Sequence, residues 1–171
     1  METLEVKGFP VEIHTAGSGP PLLYLHAEQY VEQVRPYLDT LAKKWTVIAP
    51  RHPGYGAASV ATDFRSVDDL AYLYLDLLDE LKLDNVVLVG ASLGGWIALE
   101  MCVRNHTRLS KLVLVSSVGV KFSGREERAT RRSCHKWLAM MTCVANAAEQ
   151  RSTKVNTLKS RFVGLILNLL A

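Results

Sequence analysis

The 171 residues are 49% hydrophobic and 22% charged, the balance of an ordinary soluble domain with length enough to bury one core. The net charge of +3 is uneven: 12 basic residues face 16 acidic ones through Glu127, and 8 face Glu149 alone from Arg128 onward. Those later charges are scattered without interleaved aromatics, which argues against nucleic acid as a partner. The apolar run from Phe162 to Ala171 is about half of the roughly 20 residues that a membrane helix needs.

In chain order, Leu4 to Val6 and Val11 to Thr15 read as a hairpin around Lys7 and Gly8, followed by a loop over Gly17, Ser18, Gly19 and Pro20. Leu22 to His26 is a short apolar strand. Tyr30 to Lys43 places Val31, Val34, Leu38 and Leu41 on one helical face, and Trp45 to Pro50 is the next strand. Pro53, Gly54, Tyr55 and Gly56 form a loop. Ser66 to Leu81 is a helix whose cap is Ser66, with Asp68 and Asp69 in its first turn. Asn85 to Val89 is a buried strand, Leu93 to Arg104 a helix, and Leu112 to Ser116 another buried strand. Strands alternating with helices imply right-handed crossovers and a mainly parallel sheet covered by flanking helices, an α/β class.

Between the strand at Val89 and the helix at Leu93 stands Gly90, Ala91, Ser92, Leu93, Gly94. A strand that breaks into a helix within so few residues presses backbone on backbone, so the positions two before and two after the serine must be nearly free of side chain. Gly90 and Gly94 meet that demand and Gly95 gives extra room. The turn lifts the Ser92 hydroxyl as a candidate nucleophile and aims the Leu93 N–H where an oxyanion would develop. A serine hydroxyl also needs a base, normally a histidine, and that base needs an orienting carboxylate. Neither this chemistry nor any spacing in the chain calls for a cofactor or a metal; Cys102, Cys134 and Cys143 follow no metal pattern and read as thiols of a reducing, cytoplasmic compartment. With no secretory leader at the start, the sequon Asn105, His106, Thr107 reads as accidental.

The strand ending Leu25, His26, the loop Pro53 to Gly56, the elbow around Ser92 and the strand Leu112 to Ser117 together resemble the N-terminal half of the α/β-hydrolase-fold family, over residues 3 to about 127. The resemblance implies a partial α/β-hydrolase sheet lacking its last strands. It implies Ser92 as nucleophile and an oxyanion hole from the Leu93 amide and a second amide just after His26, supplied by Glu28 or else Ala27. It implies a small-molecule ester or related acyl compound as substrate. The chain has His26, Ala27 where the family usually has His-Gly, and Arg51 where an acid commonly precedes the Pro-Gly loop.

The family's triad Asp and His follow a cap and two further strands, roughly a hundred residues beyond Ser117, and about fifty remain. The chain as given is therefore expected to lack both and to be catalytically impaired. His106 lies roughly 20 Å along the helix from Ser92. His26 and His52 end strands near the elbow, where His26 is the one candidate for a substitute base, although the family uses that position to support the oxyanion loop. His14 and His135 read as surface or packing residues, and Glu126 and Glu127 as a solvated loop. Residues 128–171 form a basic, non-family, helical tail with apolar faces at Trp137, Leu138, Met141 and Val144 and at Phe162, Leu165, Ile166 and Leu169. A change of reading frame or a truncation near Arg128 accounts for the joint loss of acids and of family pattern. The competing expectation is a non-catalytic interaction protein built on half of the fold, and either form is expected to self-associate through an exposed sheet edge.

Overall fold

A computed structural model describes residues 1–28, 31–55 and 64–119. The tail 128–171, with Cys134, His135, Cys143 and its two apolar faces, lies outside the described residues, as do Gly56, Glu126 and Glu127. Among the described residues, six strands and three helices run in the order β1 (Glu2–Val6), β2 (Phe9–Ala16), β3 (Pro21–Leu25), α1 (Val31–Leu41), β4 (Thr46–Pro50), α2 (Val67–Glu80), β5 (Val86–Ala91), α3 (Leu93–Arg104) and β6 (Leu109–Val115). The strands form one sheet in the order β1-β2-β4-β3-β5-β6. The β1–β2 hairpin joins it antiparallel, and β4, β3, β5 and β6 are parallel. The fold is the α/β class expected from the alternation.

Local chemistry sets these elements. Lys7 and Gly8 both take positive φ, 50° and 87°, as a two-residue hairpin turn of the primed kind requires. Ser66 caps α2 in a capping box: its side chain accepts from the Asp69 amide, and the Asp69 carboxylate accepts from the Ser66 amide at 2.8 Å. Helix α1 carries Pro36 in its interior and buries Val31, Leu38 and Leu41. Strand β6 begins at Leu109, three residues before the expected Leu112, because Arg108 and Leu109 already extend the β5 ladder: the Val86 amide donates to the Arg108 carbonyl at 2.9 Å.

The period-2 alternation of the strands splits the core between the two faces of the sheet. Leu23, Leu25, Ile48, Leu88 and Leu112 pack on one side with Tyr74, Leu77 and Leu78 of α2 and Ile97 and Met101 of α3. Leu22, Tyr24, Val47, Val87, Val89 and Val113 pack on the other with Val31, Leu38 and Leu41 of α1. Every residue of β5 is buried, so the strand that delivers Ser92 is fixed from both faces and both edges.

Candidate active site

Ser92 is the hinge between β5 and α3, and its backbone sits at φ 47°, ψ −110°, a conformation that an L-residue adopts only under constraint. The constraint is visible on all sides. The Ser92 amide donates to the Val115 carbonyl at 2.9 Å, and the Ser92 carbonyl accepts from the amides of Gly95 at 3.1 Å, Trp96 at 3.3 Å and Val118 at 3.1 Å. A Cβ on Gly94 would stand 2.1 Å from the Leu25 carbonyl oxygen, and one on Gly90 would stand 2.5 Å from the Gly94 carbonyl oxygen. Gly95 is as tightly held: a Cβ there would meet the Ser117 hydroxyl at 2.5 Å, so it is a packing requirement and not the spare room expected of it.

The close approach of Gly94 to the carbonyls of Leu25 and His26 brings the first turn of α3 against the end of β3. Leu93 opens that turn, half-buried, and Glu28 follows on the β3 side. These two carry the amides expected to form the oxyanion hole. The Glu28 side chain does something unforeseen: its carboxylate Oε1 accepts a hydrogen bond from the Ser92 hydroxyl at 3.0 Å. Only the Glu28 backbone figured in the sequence reading. Nothing local in the sequence signals that carboxylate, since 64 residues separate it from Ser92.

His26 and His52 do not turn toward Ser92. They are both buried and stacked, ring centroids 3.8 Å apart, with the Tyr55 ring edge-on to each. The His52 amide donates to His26 Nε2 at 2.9 Å, which leaves the His26 proton on Nδ1, where it meets the Ala27 carbonyl at 2.5 Å. His52 Nε2–H in turn donates to the His26 carbonyl at 2.8 Å, and His52 Nδ1 accepts from the Tyr74 hydroxyl at 2.5 Å. All four ring nitrogens are thus engaged in holding the ends of β3 and β4 to α2. Burial first, and then the neighbouring His26 ring, push the His52 pKa down to about 3, so this imidazole is neutral at physiological pH. Burial raises the Tyr74 phenol well above its ordinary range, which keeps it a donor.

Arg51, in place of the acid common in the family, pairs with Glu12 of β2 and Glu32 of α1. It ties the N-terminal hairpin to α1 rather than entering the site. His106 lies beyond the far end of α3, where its carbonyl accepts from the Leu109 amide, and His14 is packed under burial that lowers its pKa. A cavity of about 530 Å³ opens between Pro53, Phe64 and Ser66 at the start of α2 and Trp96, one helical turn past Ser92. Among the described residues no three His, Cys, Asp or Glu side chains converge as a metal site, and no helix is long and apolar enough to cross a membrane.

Known proteins resemble this chain in sequence and fold. The 2-hydroxymuconate semialdehyde hydrolase of Pseudomonas sp. (strain CF600) is 33% identical over 120 residues, covering 67% of this chain and 42% of its own length. The 2-hydroxy-6-oxo-2,4-heptadienoate hydrolase of Pseudomonas putida is 31% identical, covering 67% and 44%. Among solved structures, an esterase from Exiguobacterium antarcticum superposes with a TM-score of 0.63 at 27% identity, over 71% of this chain and 46% of that one. The chain thus spans 42% and 44% of the length of these two curated relatives. The sequence profile described as the alpha/beta hydrolase fold matches residues 20–154, reaching past the expected boundary at 127. The chain belongs to the alpha/beta hydrolase fold family.

Proposed function

We propose that this chain carries the nucleophile half of a serine hydrolase acting on esters or related acyl compounds, with Ser92 as nucleophile and the amides of Leu93 and Glu28 as oxyanion donors. The single observation that carries the reading is the constrained backbone of Ser92, enforced by glycines that no other residue could replace. A turn strained in this way stores energy to hold one hydroxyl in one place, which a merely structural loop has no need of. The names of the relatives run from dienoate hydrolase to esterase, and attack by a serine oxygen on a carbonyl carbon is the step they could have in common. The bond formed is Ser92 Oγ to acyl carbon, the bond broken is acyl carbon to leaving group, and the serine proton must pass to a base.

No histidine among the described residues is placed as that base, since the ring nitrogens of His26 and His52 are committed elsewhere and the Ser92 hydroxyl donates instead to the Glu28 carboxylate. Removing a triad base costs about 10⁶-fold in turnover, near 8 kcal/mol of barrier. The 171-residue chain is therefore expected to hydrolyse p-nitrophenyl acetate only at trace rates, within about tenfold of its Ser92→Ala variant. A wild-type rate a thousandfold above the variant would mean that a base does reach Ser92 and would overturn the impaired reading. The same engaged histidines favour the second reading, a non-catalytic interaction protein on a hydrolase scaffold. We attribute the change of composition at Arg128, with 8 basic residues against Glu149 alone from there onward, to a change of reading frame. Translating the downstream DNA in the other frames should then reveal an apolar strand ending in Asp and a later Gly-His, and unrelated sequence in every frame would dismiss a frameshift.

A further inference from the structure

Glu28 contributes more than a backbone amide. Its carboxylate is exposed to the side from which a substrate must come and lies at hydrogen-bond distance from the Ser92 hydroxyl. The arginine on the neighbouring strand end, Arg51, is held by Glu12 and Glu32, while Arg104 pairs with Asp68 and Glu100 and Arg108 with Asp79 and Asp84. Among the described residues, Arg51 is thus paired with Glu12 of β2 and Glu32 of α1, and the exposed Glu28 carboxylate that meets Ser92 has no ion-pair partner, which leaves a negative charge at the nucleophile. We propose that the Glu28 carboxylate is a specificity-determining charge at Ser92, selecting neutral or cationic acyl compounds and rejecting those with an anionic group next to the reacting carbonyl.

The inference rests on Ser92 being the nucleophile. A like charge about 5 Å away in a partly solvated site costs on the order of tenfold in encounter and binding, and the effect fades as salt screens it.

The test uses the full chain and three matched p-nitrophenyl phosphonate esters whose two-carbon arms end in methyl, carboxylate or trimethylammonium. Reaction forms the Ser92 Oγ–P bond, breaks the P–O bond to p-nitrophenolate and releases the serine proton to water, and intact mass with peptide mapping follows it. The methyl and trimethylammonium probes are expected to label Ser92 about tenfold faster than the carboxylate probe at low salt, with the gap closing in 0.5 M salt. Glu28→Gln, which retains a hydrogen-bond acceptor, should bring the carboxylate probe to within about threefold of the methyl probe, and Glu28→Lys should reverse the order. An unchanged ratio in both variants, with Ser92 still labelled, would overturn the charge role and leave the nucleophile reading standing. Failure of every probe to label Ser92 above the Ser92→Ala background, after incubation long enough to detect the trace rate expected without a histidine base, would remove both.

Discussion

At the scale of single residues, the site is a matter of missing side chains. Gly94 lets α3 start against the end of β3, and nothing flexible stands in the way that could yield: the nearest atom is the Leu25 carbonyl oxygen, part of a buried strand. Gly94→Ala is expected to destabilise the chain by about 3 kcal/mol or more, the range of severe overpacking against backbone. Gly8→Ala is the natural control, since a Cβ there meets nothing and only the positive φ is disfavoured, at about 1 kcal/mol. Urea denaturation of the two variants side by side would expose a mistake: equal midpoints would mean that the approach of α3 to β3 is loose. The glycines were legible in the sequence because their spacing around Ser92 is local. The role of Gly95 was not, because the hydroxyl it must accommodate belongs to Ser117, beyond an intervening helix and strand.

At the scale of elements, the stacked histidines join three of them. His26 follows β3, His52 follows β4, and Tyr74 sits on α2, so their hydrogen bonds close the end of the sheet that carries the elbow. The folded His52 pKa of about 3 lies below the ordinary 6.5, so the unfolded chain takes up a proton that the folded chain refuses. Stability is therefore full above pH 6.5 and falls as pH drops from 6.5 toward 3, and the depressed His14 acts in the same direction. Between pH 7 and 5 the loss is expected to be about 2 kcal/mol, in a range where carboxylates contribute little. Urea unfolding at those two pH values measures it, and a flat response would mean that the pair is already solvated. In the sequence the two histidines are 26 residues apart and stand on strands whose adjacency only the sheet order reveals.

At the scale of the whole molecule, the sheet ends on β6. It pairs with β5 from Val86↔Leu109 to Ala91↔Val115, and its other edge has no partner among the described residues. Leu112, Val113 and Leu114 are buried from both faces, so β6 is built like an interior strand while one of its ladders has no partner among the described residues. The isolated chain is expected to sediment as dimers or larger species at micromolar concentration. A monodisperse monomer with a sharp cooperative melt would mean that the edge is closed within the same chain.

The sequence by itself determined what is local: the hairpin at Lys7 and Gly8, the cap at Ser66, the alternating strands and helices and the strand-to-helix turn at Ser92. Each follows from sterics, periodicity or hydrogen bonds within a few residues, and the structure reproduces them with boundary shifts of one to three residues. Only the tertiary structure decided what depends on which strands become neighbours. It set β3 between β4 and β5 and turned the rings of His26 and His52 onto each other and away from the nucleophile. It also carried the Glu28 carboxylate to a serine 64 residues away. Contacts at such separation arise from the burial of both faces of a parallel sheet, a property of the assembled core that no short stretch of chain contains.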